Sequence, residues 1–138
     1  MPEQVGSFAL VLHSHLPWLA HHGSWPVGEE WLHQAWSGSY LPLLQLLDEL
    51  ADEGRRHLLT LGITPVLVTE LDDPWCLREL STWLGQWRIR AEELAARPDA
   101  HLRRLAAAEF TAAEPPLEQV ATTWRHGASP LLRRLQDA

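Results

Sequence analysis

Residues 11–31 read VLHSHLPWLAHHGSWPVGEEW and hold four histidines and three tryptophans. His13 and His15 are two positions apart, which on an extended chain puts both imidazoles on one face. Such a pair hydrogen-bonds a polar substrate, steadies a nearby carboxylate or ligates a metal. The plain alternative is two histidines satisfied by backbone groups at a strand end. A metal needs further ligands at defined spacing. The sequence offers only Glu70, Asp72 and Asp73, beyond a second apolar run, and nothing in their spacing demands an ion. No metal and no cofactor are therefore expected.

Indole faces stack on ring-shaped ligands, including the apolar faces of sugars, and they also fill cores. Eight of the 138 residues are Trp, against one Tyr and two Phe. Trp18, Trp25 and Trp31 flank or occupy a loop that also carries His21 and His22, which favours a ligand platform. The competing reading folds that loop back as a small hydrophobic cluster of its own. Glu29 and Glu30 have the chemistry of general acids or bases. At the start of a helix they also read as an acidic first turn favoured by the helix dipole.

These residues need elements to hold them. SFALVLHSH is a short apolar run that reads as a buried strand over residues 7–13. Pro17 disfavours helix at Leu16, and residues 14–28, with two prolines and two glycines, form a long loop. EEWLHQAW is helical. Ser39 is placed to cap a second helix, with Pro42 in its first turn, and that helix runs to Gly54 as its C′ residue. Residues 57–62 form the second strand, and Pro65 marks its exit. Strand, helix, strand is a βαβ unit with parallel strands.

The rest is helical: VLVTEL after Pro65, then PWCLRELSTWLGQWRIRAEELAARP, then DAHLRRLAAAEF capped by Asp99. PPLEQVATTWRHG follows, ending at Gly127, and then SPLLRRLQDA with Ser129 as its cap. The fold class is α/β, predominantly helical by residue count. Two strands are few for a stable sheet.

The net charge is −7, from 18 acidic and 11 basic side chains, all of the latter arginine. A nucleic-acid binder needs a basic face, and adsorption to an anionic membrane needs one too, so neither partner is expected. No apolar run approaches the ~20 residues of a membrane span, and MPEQVGSF lacks the character of a signal peptide. A cytoplasmic protein is the expectation. The lone Cys76 excludes an internal disulfide and a multi-cysteine zinc site and reads as packing. Walker, G-x-G-x-x-G, G-x-S-x-G and H-E-x-x-H motifs are absent.

FALVLHSHLPWLAHHGSWPVGEEWLHQAWSGSYLPLL resembles the N-terminus of glycoside hydrolase family 57, in particular its 1,4-α-glucan (glycogen) branching enzymes. His13, His15 and Pro17 match an H-x-H-x-P strand end. G-x-W-P-x-G-E-E-W, here GSWPVGEEW, is the more diagnostic block. LTLGITPVL, residues 59–67, resembles the second strand and its exit, and LLRRLQDA the segment before the third strand.

The resemblance implies residues 1–138 as the first part of a (β/α)7-barrel catalytic domain acting on α-1,4-glucans: glycogen, amylose or maltooligosaccharides. It implies retaining chemistry through a Glu nucleophile and an Asp acid/base, and it implies that His13, His15, Trp25 and Trp31 bind the sugar. The family's catalytic pair lies on later strands, and no residue here matches it. The expectation is thus an N-terminal fragment with part of the sugar-binding wall and no activity alone. Other classes remain open: a non-catalytic glucan-binding or regulatory module, a small metal-dependent hydrolase using His13 and His15, or self-association through an open sheet edge.

Overall fold

The computed structural model describes residues 6–23, 26–122, 129 and 133. Among them two strands, β1 (Val11–Ser14) and β2 (Thr60–Ile63), pair in parallel. The register sets Val11 opposite Thr60, Leu12 opposite Leu61, His13 opposite Gly62 and Ser14 opposite Ile63. Both strands start three or four residues later than the apolar pattern suggests. The ladder begins where Thr60 N–H donates to the Leu10 carbonyl, and Phe8, 89% exposed, lies before it.

The crossover between the strands is one continuous helical path. It comprises α1 (Glu29–Ala35), a π-helical turn (Trp36–Tyr40) and α2 (Leu41–Asp52). The expected break and cap at Ser39 do not occur. Pro42 has no N–H for the carbonyl four residues back, and its ring crowds that carbonyl. The widened turn just before it relieves the conflict: Leu41 N–H reaches back five residues to the Trp36 carbonyl. Ser37, which donates its hydroxyl to the His33 carbonyl at 2.8 Å, adds to the local distortion. At the far end α2 closes as expected in a Schellman motif: Gly54 at φ +80 donates to Ala51 O and Arg55 donates to Leu50 O.

After β2, α3 (Pro65–Asp72) is capped by the Thr64 hydroxyl, and α4 (Pro74–Ala95) by the Asp73 carboxylate. Both begin with proline at a position whose N–H would be unused. Asp99 caps α5 (Ala100–Thr122) through the N–H groups of His101 and Leu102. The sequence reads as two helices here, but α5 runs unbroken through Pro115 and Pro116. The helix packs along α4. The expected end at Gly127 lies outside the described residues, as does most of the last expected helix. Of that segment Ser129 is seen to bond the Asp72 carboxylate through its N–H and its hydroxyl.

The core lies between the crossover helix, α3 and α4. Trp36, Leu32, Leu41, Leu67, Leu80 and Leu84 are fully buried there. Leu19 and Ala20 join it from the loop after β1, so that loop is anchored in the main core rather than folded into a cluster of its own. The sheet is poorly covered by comparison: Val11 is 65% exposed, and Leu10 and Leu58 are also exposed. No helix among the described residues is long and apolar enough to cross a membrane.

Replacing Gly54 puts a side chain into a left-handed backbone, although a Cβ there would meet no neighbour within 4 Å. Gly54→Ala should therefore destabilise through conformation alone, by about 1 kcal/mol. Urea unfolding followed by circular dichroism checks this as a lower midpoint at unchanged slope.

Candidate functional site

The C-terminal end of β1 positions the first candidate residues. His13 is the third residue of the strand, and its side chain is exposed. A Cβ on Gly62, its partner across the ladder, would meet His13 Nδ1 at 3.0 Å. Glycine there leaves room for the imidazole. His15 is also exposed but lies one residue beyond the strand. Ser14 lies between the two histidines, and its hydroxyl meets the Tyr40 hydroxyl at 2.5 Å, which ties the strand end to the π-helical turn.

The loop after β1 is held from beneath by two buried carboxylates. Glu70 of α3, wholly buried, accepts the N–H groups of Leu19 and Ala20 through Oε1, the latter at 3.1 Å. Glu29, 3% exposed at the start of α1, accepts His21 N–H at 2.6 Å and the Trp75 indole N–H at 3.0 Å. Glu29 N–H in turn donates to the Gly23 carbonyl. A buried carboxylate is costly unless hydrogen bonds engage it; here the loop backbone and an indole engage Oε1 of each, and Glu70 Oε2 is left buried with no partner among the described residues. Both glutamates are thus loop anchors. Glu29 and Glu30 do form the expected acidic first turn, but Glu29 does more than complement the dipole.

The outer side of the loop is fastened at His21. This residue adopts a left-handed backbone (φ 66), and its Nε2 pairs with Asp73 Oδ2 at 3.1 Å. Its ring lies 5.9 Å from that of Trp75. Burial alone would raise the Asp73 pKa. The His21 bond, the N–H groups of Cys76 and Trp75, and the charge of His21 together hold it below the ordinary carboxylate value. Asp73 is therefore shared between the loop and the cap of α4. Cys76 next to it is fully buried. Burial first, then the charges of Asp73, Glu29 and Glu70, push its thiol up to about 12, so it stays protonated and inert.

With the loop so held, Trp18 and Trp31 are 45% and 47% exposed. Trp25 lies outside the described residues. His13 and His15 at the end of β1 and Trp31 in α1 are each solvent-accessible. Glu70, Asp72 and Asp73 do not complete a metal site: each is engaged with backbone, Ser129 or His21. Among the described residues no three or more His, Cys, Asp or Glu side chains group so as to hold a metal ion.

A parallel β-strand with polar side chains at its C-terminal end, crossed over by a helix to the next strand, is the βαβ unit from which α/β barrels and open α/β sheets are both built. Comparison with protein-family models gives no match. Proteins from two Mycobacterium tuberculosis strains, each named "Probable 1,4-alpha-glucan branching enzyme", are 53% identical over 148 residues, covering 96% of this chain. A 1,4-alpha-glucan branching enzyme of Thermococcus kodakarensis is 37% identical over 88 residues, covering 64% of this chain and 13% of its own length. The crystal structure of a GH57-type branching enzyme from Pyrococcus horikoshii superposes with a TM-score of 0.84 at 33% identity, covering 94% of this chain and 24% of that one. The chain spans 28% of the length of the mycobacterial proteins. By sequence and by fold it is homologous to the N-terminal portion of the branching enzymes of glycoside hydrolase family 57.

Glu70→Ala should leave two buried N–H groups without a partner, at a cost of about 3 kcal/mol. Glu70→Gln, which keeps an acceptor oxygen, should cost less. Equal losses in the two variants by urea titration would contradict the clamp.

A second expectation concerns His33, which is buried on α1 with neither ring nitrogen hydrogen-bonded. Burial lowers its pKa, and the opposing effects of Glu29, the Cys76 backbone and Glu30 are smaller. The unfolded chain then takes up the proton first, near the ordinary value of about 6.5. The stability that neutral His33 contributes is complete above that pH and declines as pH falls through it. His33→Leu should flatten the difference in unfolding midpoint between pH 7.5 and pH 5.5, both chosen as roughly a unit either side of that value. An unchanged pH dependence would assign the titration elsewhere.

Proposed function

We propose that this chain is the N-terminal part of a (β/α)7-barrel catalytic domain acting on α-1,4-glucans in glycogen synthesis, of the 1,4-α-glucan branching type. In this reading it supplies one wall of the sugar-binding site, formed by His13, His15, Trp25 and Trp31, in a cytoplasmic setting. The observation that carries it is the accessible imidazole of His13 at the C-terminal end of a parallel strand, given room by Gly62. That is where barrel enzymes of this architecture place the groups that meet substrate. The names of the relatives agree with it.

The chain alone should not turn over glucan. Retaining glycoside chemistry needs two carboxylates about 5–5.5 Å apart across the scissile bond. Glu29 and Glu70, the two buried near the wall, are committed to loop N–H groups and Trp75. The exposed apolar residues of the sheet, Val11 above all, fit a surface that further barrel strands cover.

Incubation of the purified chain with amylose should yield neither new α-1,6 linkages nor new reducing ends. Activity that co-purifies with the chain and is lost in Glu29→Gln or Glu70→Gln would overturn the assignment of those residues as anchors. In a longer polypeptide that contains this segment and is active, His13→Ala should lower kcat/KM by about a hundredfold, as expected for a group that contacts the transition state. A loss of twofold or less would remove His13 from the site.

A further inference from the structure

A concave surface that does not include His13 or His15 lies between the crossover helix and the α4–α5 hairpin. It encloses about 380 Å³. Trp83 and Trp87 line it from α4, with Glu30 and Gln34 from α1 and with Arg90 and Glu109 completing the rim. The two indoles lie 5.5 Å apart, tilted by 45°. Trp87 Nε1 donates to Glu109 at 2.8 Å, which fixes the ring. Trp83 Nε1–H is buried and has no partner among the described residues.

The floor of this groove is the π-helical turn. Gly38, which lines it, faces open space: a Cβ there would meet nothing within 4 Å. A π-turn costs hydrogen-bond geometry and is often found at functional sites. Here Ser37 and Gly38 of the turn line the groove opposite Trp83 and Trp87.

Two indole faces surrounded by carboxylates, a carboxamide and a guanidinium match one ligand chemistry well. A pyranose ring presents C–H groups to an aromatic face and hydroxyls around its edge. Those hydroxyls both donate and accept. Glu30 and Glu109 accept from them, Arg90 donates to them, and Gln34 does either. An anion would face two carboxylates, and a cation would face Arg90.

The geometry points to this groove as a separate carbohydrate-binding site that takes a pyranose unit. That the sugar belongs to an α-1,4-glucan rests on the function proposed above; the sugar class rests on the groove alone. Its place outside the strand end suits holding a long chain at a second point, which raises the effective concentration of the chain at the first.

The test is a titration of the 138-residue chain with maltohexaose, reading the indole N–H resonances by nitrogen-15 NMR. Saturable shifts of Trp83 and Trp87 are expected. Gly38→Phe, which fills the groove from a helical backbone, should weaken the affinity about tenfold or more. Arg90→Ala, an exposed change that leaves the fold alone, should weaken it several-fold. The proposal is overturned if Trp83 and Trp87 do not move with maltohexaose, or if a folded Gly38→Phe chain keeps the parent affinity. Trp31 separates this result from the function proposed above. Shifts at Trp31 without shifts at Trp83 and Trp87 leave the wall and remove the groove, and the reverse leaves the groove and removes the wall.

Discussion

The Glu70 carboxylate is the interaction on which the arrangement around β1 depends. It sits in the core, donated to by the backbone of Leu19 and Ala20, and so joins the loop after the first strand to the helix after the second. A buried carboxylate is unfavourable unless hydrogen bonds engage it; the two loop N–H groups engage Oε1 of Glu70, while its Oε2 has no partner among the described residues. Both N–H groups meet one oxygen, which couples the path of the loop to the position of α3. Glu29 repeats the device at His21, eight residues before it in the chain, and adds the Trp75 indole. Between them the two carboxylates convert an irregular segment into a fixed shelf. The exposed faces of Trp18 and Trp31 on either side of it inherit that rigidity.

Preorganisation of this kind suits sugar recognition. Stacking on an indole and hydrogen bonding to an imidazole are weak individually, and their sum survives only if the groups do not have to be ordered at the moment of binding. Gly62 serves the same purpose at atomic scale, leaving the His13 ring its space beside the neighbouring strand. Imidazoles and indoles lie on the outside of the shelf, and the Glu29 and Glu70 carboxylates turn inward.

Much of this was legible in the residues. Apolar runs bounded by Gly6, Pro17 and Pro65 mark the two strands, and Pro65, Asp99 and Gly54 mark helix ends where the structure has them; the caps at Thr64 and Asp73 emerged only with the structure. The strand starts were less clear, because the apolar pattern records potential burial and the ladder records pairing. The π-helical turn was hidden: Ser39 and Pro42 imitate a new helix start, while burial of Trp36 and Ser37 keeps the path continuous. Likewise Pro115 and Pro116 imitate a helix start inside α5.

The roles of Glu29 and Glu70 depend on partners that local spacing does not show, and for Glu70 those partners lie 50 and 51 residues away. One signal was present: Glu70 falls on the stripe of Leu67 and Leu71, and Glu29 on that of Leu32 and His33, faces on which an unpaired carboxylate is not tolerated.

The separation spanned by the Glu70 clamp also orders the assembly of the molecule. Loop closure over some fifty residues is slow compared with helix formation and carries its entropy cost before any contact is made. The segment from Pro17 to Gly23 has no regular ladder of its own and acquires its shape only when α3 arrives. The loop after β1 is therefore among the last parts of this region to take shape in folding, and its order reports that the crossover has already closed correctly.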